Sequence, residues 1–579
     1  MPRRYRKTSV SDAYPKHKPA PRIWIRYAAL TLLLITIILA LTASSSTTAK
    51  EAKGKISKSF GPAAHQPPIP AREGSGEAKW FSHWKWLNPF SDTITSDDKS
   101  VLPPLQGRPP IYAFYDTSAE KDDAIRAAEN KLLLIWRRAW WAQGFRPVIL
   151  GKAEAMNNEL YQRVQPDRLE AKLLTDLMRW LAWEQMEGGI LANWLVLPMG
   201  PRDDALLSFL RRGEYPELTR YEGLGGGLYS GSKESIRRAL MASLASEKLT
   251  KSKSITDQFP LKTFRVDSKP SSIAFYEGNV LAETYKSVSA KLADNKPAGL
   301  QWLAELISSH LHLTFLNTFA TGFAILTPHP GYTLTLSQPA LALAHSLATC
   351  PDSPLPSSCP PNRPSCTPCS TSRRIPIATP PSFYNTTNQY TIATVPHPYT
   401  LTALLAPSKD VSISHIRRET NRDRWLEAIT EVTLGHEISG PSRIVSFKEI
   451  VASEWGRERG LWMTEDPPVP EHRDLEWHFG FALPFINATD IVPRNQRPSE
   501  KEAKTQIKIL DKAKVVLKKK RRKDLDMDMR TKDAVEAWNL ADTEAWRFTR
   551  ALGARDTLTR MKWEAEEKTF AGGAGDEGR

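Results

Sequence analysis

The chain has 579 residues, a mass of 65.0 kDa and a formal net charge of +15. Nearly all of the excess charge lies in two short segments: residues 1–22 hold seven basic residues and one acid, and residues 512–523 hold eight basic residues and no acid. Because the rest is nearly neutral, the composition excludes a broad basic surface for nucleic acid. A hydrophobic fraction of 41% with 18 tryptophans excludes a wholly disordered chain.

The most apolar segment of the chain covers residues 23–43, and its only charged residue is Arg26. A helix of this length spans a hydrocarbon core of about 30 Å. The basic residues 1–22 precede it, so the N-terminus is expected in the cytosol. We expect an uncleaved transmembrane signal anchor. The alternative is a cleaved signal peptide, whose n-region would be unusually long here.

Sites for N-linked glycosylation support a lumenal or extracellular position for the residues that follow the anchor. Asn385 begins an Asn-Thr-Thr triplet and Asn487 an Asn-Ala-Thr triplet. A fairly short anchor suits a thin bilayer better than the plasma membrane. We therefore expect a type II glycoprotein of the Golgi or ER membrane, with the bulk of the chain in the lumen.

Changes in composition divide the remaining chain into three parts. Residues 44–107 are small, polar and proline-rich, which is typical of a stem. Residues 108–495 have the pattern of a folded domain, interrupted by a Cys/Pro-rich insertion at 350–381. Residues 496–579 are charged and alanine-rich, so we expect a helical or disordered tail.

Four cysteines lie close together, at Cys350, Cys359, Cys366 and Cys369. A single Cys-x-x-Cys pair lacks the second half of a zinc signature. In an oxidising lumen two local disulfides are expected, and the spacing leaves their connectivity open. Free thiols in a loop are the alternative.

The folded domain begins with a strand–helix–strand pattern. Ile111–Tyr115 is a buried strand, Thr117 and Glu120 form a capping box for a helix over about 118–143, and a second strand covers 145–150. A helix over about 166–187 and a strand near 191–197 follow. This alternation predicts an α/β fold with a mostly parallel sheet flanked by helices.

Charged residues with a defined spacing lie on the second of these helices. Asp176 and Arg179 share one helix face at i, i+3 spacing, and the helix is followed by Gly188-Gly189 and a strand. This order resembles the DXD-containing "sugar-binding region" glycosyltransferases, the group of the fungal Golgi α-mannosyltransferases. Their pattern is Ser-Asp-x-x-Arg, then Gly-Gly, a short strand and Asp-x-Asp, and the resemblance covers about residues 110–200.

The resemblance implies a GT-A-like fold and the transfer of a sugar from a nucleotide-sugar donor to a glycan or glycoprotein acceptor. It assigns donor binding to Asp176, Arg179, Gly188 and Gly189, and to Asn193, which stands at the first position of Asp-x-Asp. The alternatives are a helix-surface ion pair for the two charged residues and a helix C-cap for the two glycines.

The chain departs from the family where the two acids of Asp-x-Asp would stand, since Asn193 and Leu195 occupy those positions. A Mn²⁺ or Mg²⁺ ion prefers oxygen ligands, which an asparagine can offer and a leucine cannot. Either the enzyme works without metal, or another acid supplies the site, or donor function is lost. The last case would leave a non-catalytic lumenal binding or scaffold subunit of a glycosylation complex.

Asp116 directly follows the first predicted strand. In α/β sheets this edge binds ligands, so a donor contact is one role for Asp116. The other possible role of Asp116 is a structural one, at the start of the helix that follows. No residue is singled out as catalytic.

Overall fold

The computed structural model describes residues 64–68, 102, 107–117, 121–326, 334–370, 372, 375–378, 388–395, 448, 451–464, 471–484, 504 and 526–570. The predicted anchor 23–43, the sequons at Asn385 and Asn487 and the basic run 512–523 lie outside these residues. Within the described part of the chain, no helix combines the length and the apolar character that crossing a membrane requires.

Twelve strands are present in the described residues: Pro110–Phe114 (β1), Arg146–Leu150 (β2), Gly188–Ala192 (β3), Val196–Pro198 (β4), Thr219–Tyr221 (β5), Leu228–Ser232 (β6), Arg265–Asp267 (β7), Ile273–Phe275 (β8), Gly322–Leu326 (β9), Ile377–Ala378 (β10), Gln389–Val395 (β11) and Gly460–Thr464 (β12). Sheet 1 has the order β2–β1–β3–β6–β5–β7, and sheet 2 has the order β10–β9–β11–β12. Strands β4 and β8 form a separate antiparallel pair.

Most strand neighbours in the two sheets are parallel. In sheet 1, β1 is parallel to β2 and β3, and β5 is parallel to β7. Only β6 runs against its neighbours β3 and β5. Sheet 2 is parallel throughout. The predicted mixed α/β fold with a mostly parallel sheet flanked by helices is confirmed.

The α-helices of the described residues are Asp123–Ala142 (α1), Lys152–Met156 (α2), Ala171–Gln185 (α3), Ala205–Arg211 (α4), Lys233–Leu244 (α5), Gly278–Thr284 (α6), Lys286–Asp294 (α7), Lys296–Thr318 (α8), Leu334–Ala348 (α9), Glu454–Glu458 (α10), His472–Phe479 (α11) and Asp526–Glu567 (α12). Sheet 1 lies between two helical layers. The β1 side chains Ile111 and Ala113 pack with α1 and α8, whereas Tyr112 and Phe114 pack with α3 and α5. This alternation follows from the two-residue period of a strand.

Three predicted elements have wrong boundaries. Helix α3 begins at Ala171 rather than near 166, where a separate 3₁₀ turn, Pro166–Arg168, lies. Helix α1 begins at Asp123 rather than near 118, because the Asp122 carboxylate accepts a hydrogen bond from the Ala124 N–H at 2.9 Å and caps the helix there. The single strand predicted near 191–197 is two strands, β3 and β4. A tight turn separates them, since the Asn193 carbonyl accepts from the Val196 N–H at 2.9 Å.

Segments that the composition assigns to the stem, the insertion and the tail all contact the folded domain. In the stem region, His65 is buried against Glu154. In the insertion, the Tyr285 hydroxyl donates to the Cys359 carbonyl at 2.6 Å, and β10 extends sheet 2. In the tail, Trp563 of α12 stacks on Trp141 with ring centroids 4.9 Å apart.

Disulfide bonds join Cys350 to Cys369 and Cys359 to Cys366. The sequence leaves this connectivity open. The nested pairing closes a larger loop around a smaller one within the insertion. Cys369 packs against the main hydrophobic core, so the larger loop is attached to the folded domain.

Candidate functional site

The candidate site lies at the carboxyl edge of β1, β2 and β3, where three loops leave three parallel strands. Asp116 follows β1, Lys152 follows β2 and Asn193 follows β3. The Lys152 Nζ is 3.0 Å from the Asp116 Oδ2. Ligands of α/β proteins bind at this edge because the loops there converge while the strands are held by the sheet.

Aromatic side chains form one wall of this edge. The rings of Tyr115 and Trp194 meet edge to face, with centroids 6.3 Å apart. The Tyr115 hydroxyl donates to Glu129 Oε2 at 2.7 Å, and Lys121 Nζ donates to the same oxygen at 2.7 Å. Burial and the hydrogen bond to Glu129 raise the pKa of Tyr115, so its hydroxyl stays neutral.

Helix α3 brings Asp176 and Arg179 to this edge, but with different partners. The Asp176 Oδ2 accepts from the Ser254 hydroxyl at 2.7 Å and from the Ile255 N–H at 3.0 Å. Its other oxygen is 3.9 Å from Arg179 Nη1. Asp176 thus holds the start of the short 3₁₀ helix Ile255–Gln258, which is a structural role. A donor contact by Asp176 stays a prediction.

Arg179 contacts the glycine-rich loop 223–227, which connects β5 to β6. Its Nη2 donates to the Gly226 carbonyl at 2.8 Å, and its guanidinium lies 5.6 Å from the centre of the Tyr229 ring. The side chain keeps 16% of its surface exposed. Burial raises the pKa of Tyr229, while the nearby Arg179 lowers it. Arg179 is therefore anchored at one nitrogen and still accessible to solvent.

The same loop also binds the end of β3. The Asn193 N–H donates to the Gly227 carbonyl at 2.7 Å, so Arg179 and Asn193 bind adjacent carbonyls. Gly225 has a φ of +52°, a left-handed conformation that favours glycine. The structure thus brings together Arg179, Asn193 and the glycine-rich loop. The sequence alone does not predict this proximity.

The glycine pair belongs to strand β3 rather than to the end of the helix. Gly188 and Gly189 have φ angles of +89° and +105°, and the left-handed residue that follows α3 is Glu187. A Cβ on Gly188 would lie 2.5 Å from the Gly231 carbonyl oxygen, and one on Gly189 would lie 3.2 Å from the Tyr112 ring. The two glycines therefore permit the close approach of β3 to its neighbours, at the amino end of the strand. They lie at the opposite end of β3 from Asn193.

The two positions that replace the acids of Asp-x-Asp do not form a metal site. The Asn193 Oδ1 accepts from the Leu195 N–H at 2.9 Å, which closes the turn between β3 and β4. The Leu195 side chain packs against the hydrophobic core. Across the described residues, no group of three or more His, Cys, Asp or Glu side chains is arranged to hold a metal ion. The Asn193 amide oxygen is thus engaged in the turn, and the Leu195 side chain offers no oxygen ligand for Mn²⁺ or Mg²⁺.

One acid that the sequence analysis missed lies beside this turn. The Tyr276 N–H donates to the Leu195 carbonyl at 3.1 Å, so the pairing of β4 with β8 continues to the residue before Glu277. Glu277 is exposed, and its Oε2 lies 3.7 Å from where a Cβ on Gly225 would stand. No sequence motif marks Glu277, because only the pairing of β4 with β8 brings it here.

Comparison with known proteins gives a family without a function. The model of a family described as a domain of unknown function (DUF8765) matches residues 74–579. No curated protein and no solved structure matches the chain significantly. Since the match covers most of the chain, from the stem region to the last residue, the protein belongs to the DUF8765 family.

Proposed function

We propose that this protein is a GT-A-like glycosyltransferase that binds a nucleotide sugar at the carboxyl edge of β1–β3. The observation that carries the proposal is the joint contact of Arg179 and Asn193 with the glycine-rich loop. Both residues belong to the stretch that resembles the sugar-binding-region glycosyltransferases. Their contacts converge at the edge where α/β proteins bind ligands.

In this proposal the negative charge of the donor is met by side chains rather than by a metal ion. Transfer breaks the bond between the anomeric carbon and the β-phosphate oxygen, so negative charge develops on the leaving nucleoside diphosphate. Arg179 and Lys152 are cationic groups at this edge that can pair with it. Backbone N–H groups of the glycine-rich loop add hydrogen-bond donors.

The acceptor of the sugar is a glycan or glycoprotein hydroxyl, which must lose a proton as the new glycosidic bond forms. Glu277 is the exposed carboxylate beside the loop, and we assign it the role of general base. The aromatic pair Tyr115 and Trp194 supplies an apolar surface on which a sugar ring or nucleobase can pack.

We also propose that the protein works in the Golgi or ER lumen, anchored by residues 23–43 with its N-terminus in the cytosol. The two disulfides support an oxidising compartment. Removing N-glycans from the cellular protein should increase its mobility on a denaturing gel, and replacing both Asn385 and Asn487 by Gln should abolish that change. A wild-type protein whose mobility is unaffected would contradict lumenal placement.

A second candidate is a non-catalytic lumenal binding or scaffold protein of the same fold, working with the subunits of a glycosylation complex. Asn193 and Leu195 favour it, since one closes a turn and the other packs in the core. The two candidates differ in whether the protein transfers sugar.

Titration of the full chain with uridine and guanosine diphosphate sugars, with Mn²⁺ and with chelator, tests the proposal. We expect saturable binding in chelator that Arg179→Gln weakens about tenfold, because a hydrogen bond to a charged group contributes about 1.5–3 kcal/mol. Arg168→Gln, an exposed arginine outside the site, is the matched control. If the wild type binds none of the donors, the glycosyltransferase proposal is refuted and the scaffold is favoured.

Transfer to glycoprotein acceptors separates the two candidates. We expect Glu277→Gln to keep donor binding and to lose about 100-fold or more in transfer rate. Donor binding by the wild type with no transfer or donor hydrolysis would favour the scaffold. A strict need for Mn²⁺ would show that the metal-free chemistry is wrong.

A further inference from the structure

A cavity of about 130 Å³ lies at the amino edges of the two sheets, away from the carboxyl edge of β1–β3. Its lining comes from residues that precede strands: Gln143 before β2, Phe319 before β9 and Arg459 before β12. Residues of α8 and α11 and residues 200–203, which follow β4, complete it. We call it the amino-edge cavity. The proposed glycosyl transfer makes no use of it.

Aromatic rings form the apolar part of the amino-edge cavity. Phe315 lies at the centre of this cluster, with its ring centroid 4.9 Å from that of Phe319, 5.4 Å from that of Phe479 and 5.7 Å from that of Phe481. An engineered apolar cavity of about 150 Å³ binds benzene. The amino-edge cavity is therefore close to the size of one six-membered ring.

Arginines give the polar part of the cavity a positive charge. Arg202, Arg457 and Arg459 line it together with two acids, Asp203 and Glu458. The Arg459 Nη2 is 2.7 Å from Asp203 Oδ2, and the Arg202 Nε is 3.3 Å from Glu458 Oε1. With both acids engaged by these two arginines, the lining keeps a net positive charge.

Two buried polar atoms of lining residues lack hydrogen-bond partners among the described residues. They are the Arg457 Nε, a donor, and the Gln143 Oε1, an acceptor. The Nε2 of Gln143 donates to the Gly200 carbonyl at 3.1 Å, which fixes the amide. Buried polar atoms in folded proteins are nearly always hydrogen-bonded to protein or to ordered water, so these two atoms are points at which a polar ligand can bind in place of water.

Histidine does not contribute charge to this lining. The His478 Nε2 lies 3.0 Å from the Tyr390 hydroxyl. Burial and the nearby Arg202 lower the pKa of His478 to about 4, so the imidazole is neutral at physiological pH. The net charge of the cavity therefore comes from the arginines.

We infer that the amino-edge cavity binds a small monocarboxylic acid with an apolar body about the size of one ring. Its carboxylate pairs with Arg457, because a guanidinium matches a carboxylate in charge and geometry. Its ring packs among the phenylalanines. A hydroxyl or amide N–H group on the ligand would donate a hydrogen bond to Gln143 Oε1.

Benzoate is the probe, and benzyl alcohol is its uncharged analogue of similar size. Each compound is titrated into the full chain, and binding is measured by ligand-detected NMR and calorimetry. We expect saturable benzoate binding at least about tenfold tighter than that of benzyl alcohol. Arg457→Gln should weaken benzoate about tenfold and leave benzyl alcohol unchanged. Arg126→Gln, on a side chain that is 53% exposed on α1, is the matched control.

Filling the cavity gives a test that does not depend on Arg457. Thr318 lines the cavity in the last turn of α8, and Thr318→Phe should abolish the binding of both probes. Thr284→Phe, at the exposed end of α6, should leave binding unchanged. The inference is overturned by no saturable benzoate binding to the wild type, by equal affinity for the two probes, or by unchanged benzoate binding in Thr318→Phe.

Discussion

Replacing His65 by glutamine should release the segment 64–68 from the folded domain. The imidazole of His65 is 6% exposed and lies between two carboxylates, with Nδ1 2.7 Å from Glu154 Oε1 and Nε2 3.1 Å from Glu567 Oε2. Its ring stacks on Phe570 at 3.6 Å. One side chain thus joins the N-terminal segment, helix α2 and the C-terminal end of the fold.

The magnitude follows from the pKa of His65. Burial lowers this pKa. The hydrogen bonds to Glu154 and Glu567 and their negative charges raise it by a larger amount, so the net change is from 6.5 to about 9. Such a rise on folding contributes about 3 kcal/mol. Because the folded-state pKa is the higher one, the contribution is complete below pH 6.5, declines as the pH rises and is lost above pH 9.

Acid weakens the same contact through Glu154. Burial raises the pKa of this carboxyl. The hydrogen bonds that it accepts from His65 and from the Gly151 N–H lower the pKa by a larger amount, so the net value is below 4.5. A lowered pKa gives stability that is present above 4.5 and is lost as the pH falls through the folded-state value. The segment should therefore be held most tightly between pH 4.5 and 6.5.

Hydrogen exchange at the amides of His65 and Gly151 measures this opening, since both donate to Glu154. After correction for intrinsic exchange, the free energy of opening in the wild type should fall by about 3 kcal/mol from pH 6.5 to above pH 9. In His65→Gln it should already be low at pH 6.5 and change little with pH. His472→Gln, a histidine on α11 with 35% of its side chain exposed, is the control.

Two results would refute the reasoning. One is an opening free energy in the wild type that does not change between pH 6.5 and 9. The other is a His65→Gln variant whose amides are protected as well as those of the wild type. Either would mean that the carboxylate–imidazole contacts do not hold the segment.

Three further predictions concern the fold. Gly188→Ala should destabilise the protein by about 1–3 kcal/mol in thermal unfolding, because Gly188 has a positive φ and a Cβ there would lie 2.5 Å from a carbonyl oxygen. Gly278→Ala is the control and should be neutral or stabilising, because the space around Gly278 is open. Equal effects of the two substitutions would contradict this prediction. Replacing both Cys350 and Cys369 by Ala should lower stability by about 3 kcal/mol, and reductant should then have less effect on the melting temperature than in the wild type. Trp563→Ala should lower the free energy of unfolding by about 3–5 kcal/mol and make α12 more sensitive to proteolysis, because Trp563 is buried and stacks on Trp141. Unchanged stability and unchanged proteolysis would contradict this prediction.

The sequence predicted the first half of the domain well because its signals are local. The apolar run at β1 and the glycine that ends α1 mark elements through neighbouring residues alone. Gly144, two residues after the end of α1, has a φ of +87°. Start and end points were less accurate, since Asp122 and Asn193 use short side-chain caps that compete with the longer-range pattern.

The candidate site was predicted only in part. Asp176 and Arg179 were selected through a resemblance, and the structure gives them different partners, a 3₁₀ helix for one and the glycine-rich loop for the other. Glu277 had no signal, since it follows β8, which pairs with a strand 75 to 79 positions earlier in the chain. The role of the glycine pair in strand packing likewise depends on a neighbouring strand, β6.

By itself, the sequence determined the α/β class, the location of the net charge in residues 1–22 and 512–523, and the nearly neutral domain between them. These properties depend on composition and on periods of a few residues. Only the tertiary structure decided which cysteines pair, which acid lies beside Gly225, and that His65 binds Glu154 and Glu567, 89 and 502 positions away. Such contacts depend on strand pairing and helix packing across the whole chain, which local patterns do not encode.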